Sequence, residues 1–383
     1  NSYIGRSVPR PNLQRLTQGR GQYVSDVSLP RMAHVAYLRS PHAHARIVGI
    51  KADAAKKSPG VVAVVTGAEL AKVMTPWVGV LTHLKGLKSA PQSPIAVDVA
   101  CWQGEAVCAV VARSRAEAED GCELVEVTYE ALPAVTDPET ALDGKTPVIH
   151  AALGDNLCFE RKLEVGAVDK AFAESDAVVE TTFMFGRHTG VTTEPRAVVA
   201  DWNAGEQRMT VYHGTQAPHM MQNLFAKHLG LAEHQVRVIT KDVGGSFGIK
   251  VHTYADEMAT VALSKLLKRP VKFVADRIES FVTDIHARDH RIKARIGVSK
   301  DGIITAFEID DLTGIGPYSV YPRTSGIEAN QIVNLTGGPY TCPNYRAQAR
   351  VVFQNKNVMC QYRAVGHPIA VAVTEGLVEL AAA

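Results

Sequence analysis

Cysteine is scarce and badly spaced for metal binding: six residues, Cys101, Cys108, Cys122, Cys158, Cys342 and Cys360, with no C-x-x-C pair among them. That pattern spells neither a zinc nor an iron–sulfur site, and buried free thiols suit a reducing cytoplasm. An excess of either charge is also lacking. The 41 basic residues are matched by 39 acidic ones, which leaves no electrostatic case for nucleic acid or an anionic membrane surface. No apolar run approaches the roughly 18 residues of a membrane span, and no leader peptide is visible. Internal repeats and low-complexity tracts are missing as well. The length of 383 residues exceeds one comfortable core, so two or three domains are expected.

What is present reads as α+β. Val35 to Leu38 and Ala45 to Ile50 are strand-like, Val61 to Val65 is a continuous apolar run of buried-strand length, and Glu105 to Ala112 is a further strand. Ser114 is placed to cap a short Ala/Glu helix reaching Gly121, and Glu123 to Tyr129 reads as the next strand. From Pro133 to about Val165 the pattern dissolves into Pro, Asp, Gly and Asn, which predicts a surface connection. The domains expected are therefore 1–135, a linker over 136–165, and 166–383. In the last of these, strands over Ala177 to Phe183, Ala197 to Ala200 and Met209 to His213 precede a helix over Ala217 to Leu229. Lys300-Asp301-Gly302 predicts a hairpin between Arg291 to Ser299 and Ile303 to Asp311.

The densest signal is the strand Val236-Arg237-Val238-Ile239-Thr240, followed by Gly244-Gly245-Ser246-Phe247-Gly248 and a helix-like segment ended by Arg269-Pro270. A glycine turn between strand and helix exposes backbone N–H groups to an anionic oxygen, helped by the field of the helix N-terminus. Its spelling is neither the dinucleotide fingerprint nor a P-loop, since Ile249 and Val251 occupy P-loop positions reserved for Gly and Ser or Thr. His286 and His290 lie four apart, but no third ligand is spelled nearby, so no protein-ligated metal site is expected.

Around this turn stand Glu194-Pro195-Arg196, Gly214-Thr215-Gln216-Ala217-Pro218-His219, Gly338-Pro339-Tyr340 and Gln361-Tyr362-Arg363-Ala364-Val365-Gly366-His367-Pro368. Nearer the N-terminus are Arg15-Leu16-Thr17-Gln18-Gly19-Arg20-Gly21-Gln22-Tyr23 and Leu38-Arg39-Ser40-Pro41-His42-Ala43-His44-Ala45-Arg46. In this order and at these separations the motifs resemble the large, molybdenum-cofactor-binding subunit of the xanthine dehydrogenase, aldehyde oxidase and carbon monoxide dehydrogenase family. The resemblance covers nearly the whole chain, but only the N-terminal half of the family's large subunit. A cropped, proteolysed or genetically split subunit would each account for that, and for a start at Asn1 rather than Met.

The resemblance implies a hammerhead-like α/β domain followed by a mixed α+β domain that binds molybdenum on molybdopterin, the cytosine dinucleotide form being common in bacterial relatives. It implies a C-terminal half carrying the general-base glutamate, an iron–sulfur small subunit with 2Fe-2S clusters, a flavin medium subunit with FAD, and a small-molecule substrate. Gln216 matches the amide beside the metal, where a neutral donor suits an oxo group and a carboxylate would compete as a ligand. Gly244 and Gly245 shape the turn, Phe247 and Gly248 match the pair whose backbone approaches the metal's oxygen ligand, and Arg363 matches the arginine of the active-site loop. Ala364 stands where carbon monoxide dehydrogenase carries its copper-binding cysteine, so carbon monoxide oxidation is not expected. Val251, Val365 and Gln331 replace purine-contacting residues; losing two polar anchors costs on the order of 1–3 kcal/mol per unpaired group. The implied pocket is more apolar than a xanthine site, and aldehydes or N-heteroaromatics suit it better. An inactive paralogue that keeps the fold as a scaffold is the competing expectation.

Overall fold

In the computed structural model, which describes residues 2–383, three sheets and ten α-helices form the expected α+β architecture. The largest sheet has seven strands, in the order Val236–Ile239, Arg208–His213, Ala197–Asn203, Val271–Val274, Ala33–Arg39, Ala106–Ala112 and Val61–Thr66. Strands from the N-terminal third of the chain and from 197–274 thus share one sheet, joined by the parallel pairing of Ala33 with Val271. A three-stranded sheet, Val99–Ala100, Ala45–Lys51 and Glu126–Ala131, completes the N-terminal region. The five-stranded sheet runs Leu157–Val165, Tyr345–Val352, Ile304–Gly314, His290–Val298 and Ala177–Phe185.

Local chemistry explains most of these elements. Ser114 does cap its helix, accepting from the Glu117 N–H, and Pro218 at the first position with Gly230 in the left-handed region brackets Pro218–Leu229. That helix crosses between the parallel strands Arg208–His213 and Val236–Ile239. The hairpin forms across Gly302 at φ 76°. Two boundaries differ from expectation. The capped helix runs on to Glu123, and its strand starts only at Glu126, because Gly121 packs against Val61 and Val110 instead of ending the helix.

The surface connection expected over 136–165 gives way at its end to the nine-residue strand Leu157–Val165. Ala141 and Ile149 in the irregular part are buried too, in the same core as Cys158 and Phe159. All six cysteines are free thiols. No helix among the described residues is long and apolar enough to cross a membrane.

The interior between the large sheet and the helix Ala255–Leu267 is not wholly apolar. Arg196, fully buried, donates to Asp284 at 2.6 Å and to Asp256 at 2.7 and 3.0 Å, and its guanidinium lies 3.8 Å from the centre of the Tyr254 ring. Burial alone would raise the Asp256 carboxyl, but Arg196 and Arg39 pull it down to about 2.

Candidate functional site

Beyond Ile239 the chain enters the glycine turn, and each end of that turn is fastened to something distant in sequence. Asp242 accepts from both terminal nitrogens of Arg15 at 2.7 Å and from the Gln22 N–H at 2.8 Å. The bond from Arg15 is the main reason its carboxyl falls to about 2. Gly244 exchanges two bonds with Glu194, its N–H donating to Oε2 at 2.7 Å and its carbonyl accepting from the Glu194 N–H at 3.0 Å. The same Glu194 oxygen accepts from the buried Lys250 ammonium at 2.8 Å, so one carboxylate ties both sides of the turn.

The turn does not open onto an α-helix. It continues into a single 3₁₀ turn, Ile249–Val251, and the helix Ala255–Leu267 begins only afterwards. The first turn of that helix holds the buried Asp256 and Glu257, which complement its N-terminal field. The helix-terminus part of the anion expectation is therefore corrected; what donors the turn offers come from its own backbone.

Gln216 is brought to this turn by the strand Arg208–His213. Its N–H and the Thr215 hydroxyl both donate to the Lys250 carbonyl, at 2.9 and 3.0 Å. The side-chain oxygen accepts from the Gly248 N–H at 3.0 Å. Because the oxygen is engaged, the exposed end of the amide is its NH₂, a neutral donor.

Arg363 arrives from the far end of the chain. Its N–H donates to the Phe247 carbonyl at 2.9 Å, and its guanidinium carbon lies 6.0 Å from the Phe247 ring centre. Gly248 makes this approach possible: φ is +101°, and an added Cβ would sit 3.3 Å from the Tyr362 Cα. Gln216, Phe247, Gly248 and Arg363, separated by more than a third of the chain at the widest, thus meet through direct hydrogen bonds.

The backbone here is strained. Phe247 has φ 52°, and Arg363, Ala364 and Val365 follow one another at 32°, 68° and 56°. Each such non-glycine residue costs on the order of 1–3 kcal/mol and persists only where its surroundings hold it. The hold on one end is Gln331, whose Oε1 accepts from the Gly366 N–H at 3.1 Å. Gln331 was expected to line a substrate pocket; its amide oxygen is committed to the loop. Val251 and Val365 are half-buried, and no hydrogen bond joins either to Gln331. His290, weighed above as a metal ligand, is buried against Asp311 at 2.9 Å.

The donor set fits an anionic, oxygen-rich group. Among the described residues, the N–H groups of Gly245, Ser246, Phe247 and Ala364 find no protein acceptor. Together with the Gln216 NH₂ they are neutral donors gathered where two loops meet, and the nearest carboxylate, Glu194, faces Gly244 and Lys250. Arg363 and Ala364 also border an open cleft of about 640 Å³, walled further by Met184, Phe185, His188, Arg288, Tyr362 and Ile369.

Residues 149–383 match the model of the molybdopterin cofactor-binding domain, and residues 18–133 that of the aldehyde oxidase and xanthine dehydrogenase a/b hammerhead domain. The chain belongs to this molybdopterin-binding large-subunit family. It is 34% identical to the nicotine 6-hydroxylase large subunit of Paenarthrobacter nicotinovorans over 98% of its own length and 46% of that subunit. The crystal structure of quinoline 2-oxidoreductase from Pseudomonas putida 86 superposes with a TM-score of 0.96 at 36% identity, over 99% of this chain and 48% of that one. The chain thus spans about half the length of these relatives. A third relative, the nicotinate dehydrogenase large molybdopterin subunit of Eubacterium barkeri, is 28% identical over 97% of this chain and 84% of that subunit.

The motifs were legible before the structure; their meeting was not. One residue of the site gave no sequence signal: Lys250 reads as one more lysine after a glycine turn.

Proposed function

We propose that this chain is the N-terminal, cofactor-binding part of a molybdenum hydroxylase that oxidises an N-heteroaromatic or aldehyde substrate with oxygen from water. The observation that carries the reading is the junction of Gln216, Phe247–Gly248 and Arg363, where neutral donors stand free around a strained backbone. Molybdenum on molybdopterin, in the cytosine dinucleotide form, would supply the oxidative chemistry when bound there.

The chain's own residues bind and orient. Gln216 would hold a cofactor oxygen through its NH₂, and the backbone at Phe247–Gly248 is fixed by that side chain, so donor and cradle move as one unit. Such preorganised donors stabilise charge without reorganising at the moment of reaction. Arg363 presents a fixed fork of donors beside Phe247. Gly244 and Gly245 shape the turn, and Ala364 leaves room at the loop apex without a thiol. Val251 and Val365 give the site apolar rather than purine-binding character.

Among substrates, N-heteroaromatics are favoured, because the names of three relatives refer to nicotine, quinoline and nicotinate. The general-base glutamate lies on a C-terminal half, and electrons leave to an iron–sulfur small subunit with 2Fe-2S clusters and a flavin medium subunit with FAD. The Eubacterium barkeri relative of similar span is compatible with that half being a separate chain. Free thiols suit a cytoplasmic complex.

Native mass spectrometry of the purified complex with elemental analysis tests the reading. A second large-subunit chain, molybdenum, and iron from another subunit are the expected result. A colourless, metal-free assembly from cells replete in molybdate would replace the enzyme by a scaffold.

A further inference from the structure

Three consecutive non-glycine residues in the left-handed region, Arg363 to Val365, need an external hold. We propose that Arg288 is that clamp, and that Glu328, His290 and Asp311 are positioning residues that aim it. The cofactor consequence rests on the function proposed above; the clamp itself does not.

In an extended strand successive carbonyls point to opposite sides, so one donor cannot reach two of them. Here the Arg288 Nη2 donates to the carbonyls of both Tyr362, at 3.0 Å, and Arg363, at 2.8 Å. That grip is available only to a turn in which the two carbonyls converge, so the guanidinium selects the strained geometry over its relaxed alternative. The same guanidinium faces the Tyr362 ring, with its carbon 5.8 Å from the ring centre.

Arg288 is aimed by a buried chain. Its Nη1 pairs with Glu328 Oε1, and its own N–H donates to Glu328 Oε2 at 3.2 Å. Glu328 Oε2 lies 3.4 Å from His290 Nε2, close enough for a charge contact but without a hydrogen bond, and His290 Nδ1 lies 2.9 Å from Asp311 and 2.7 Å from the Thr313 hydroxyl. Glu328, His290 and Asp311 are each 0% exposed. A guanidinium so anchored on one side has its remaining donors in a fixed plane.

The helix Ile327–Leu335 serves both ends of the loop. Glu328 and Gln331 are three apart and share a face. One aims Arg288 at the loop's first two carbonyls, and the other accepts from the N–H of Gly366. A Cβ on Gly366 would lie 2.6 Å from the Glu328 carbonyl oxygen, so the helix backbone also bounds the loop.

The test is hydrogen–deuterium exchange on the assembled complex, read at the hydrogen-bonded amides of Arg363, Val365 and Gly366, for Arg288→Lys, Glu328→Gln and Gln331→Ala. The lysine keeps the charge without the fork, and Gln331→Ala removes a half-buried group from the helix surface, so at least one variant folds. The clamp predicts exchange at least tenfold faster in the loop for Arg288→Lys and Glu328→Gln, a smaller rise centred on Gly366 for Gln331→Ala, and unchanged exchange in the strands Ile304–Gly314 and Tyr345–Val352. Trypsin cleavage after Arg363 rises in parallel. Loop exchange within twofold of wild type, or a rise spread equally over those strands, overturns the proposal. A loosened loop with unaltered Mo(V) electron paramagnetic resonance and substrate KM upholds the clamp and contradicts the cofactor site proposed above.

Discussion

The Arg196 cluster and the Tyr362–Gly366 loop are built on opposite terms. Around Arg196 no residue of the cluster has a positive φ and the side chains are exceptional, a guanidinium and three carboxylates sealed from water. In the loop the side chains of Arg363 and Ala364 are exposed and the backbone is exceptional. The comparison teaches how the molecule makes a precise surface from a flexible chain: buried charges with fixed hydrogen-bond angles lie behind the strained segments. Arg288 beneath the loop and Lys250–Glu194 beneath the glycine turn repeat, at the site, the arrangement that Arg196 has in the interior.

Removing a buried partner therefore does more damage than removing an exposed donor. Arg196→Ala leaves Asp284 buried without a cation and Asp256 with Arg39 alone, and the expected loss is about 3–5 kcal/mol by denaturant unfolding. A loss below about 1 kcal/mol would place the buried charges among incidental features.

Glu105 gives the next effect. Burial pushes its carboxyl up from 4.5 to about 7, against the bond it accepts from the Cys101 N–H at 2.6 Å. The fold therefore favours the protonated acid. Its contribution is fully present below pH 4.5 and is lost as pH rises through about 7. A shift of this size corresponds to about 3 kcal/mol. Stability should fall across this window in the parent and fall less in Glu105→Gln; parallel curves would remove Glu105 from the account.

Gly248→Ala forces a Cβ at φ +101° against Tyr362 and should cost about 1–3 kcal/mol while stripping molybdenum from the purified complex. Retained molybdenum with full stability would show that the two loops need not touch. Smallest in stability is Gln216→Ala, within about 0.5 kcal/mol because the side chain is exposed. Its turnover should nevertheless drop with cofactor still measurable, and an unchanged kcat would take Gln216 out of the site.

Much of the fold was readable from apolar patterning. Val61 to Val65, Ala197 to Ala200 and the hairpin around Gly302 all lie where periodicity and turn chemistry put them. The strand Leu157–Val165 was hidden because its outward positions carry Glu160, Lys162 and Glu164, and its half-buried Arg161 bonds to Asn330 and Asn334, so alternation reads as polarity. At the site, residue identities were legible through family resemblance, whereas the roles of Gln331 and Arg288 were not. Those roles depend on backbone angles at Arg363 to Val365, which arise from tertiary contacts and leave no trace in the spelling of a loop without glycine at those positions.

The most direct measurement of the central claim is anomalous scattering at the molybdenum edge from crystals of the intact complex. The account predicts one strong peak per chain at the junction of the Gln216 amide, the Phe247–Gly248 backbone and the Arg363 loop. A peak far from that junction, or none in crystals that contain molybdenum by elemental analysis, would contradict it.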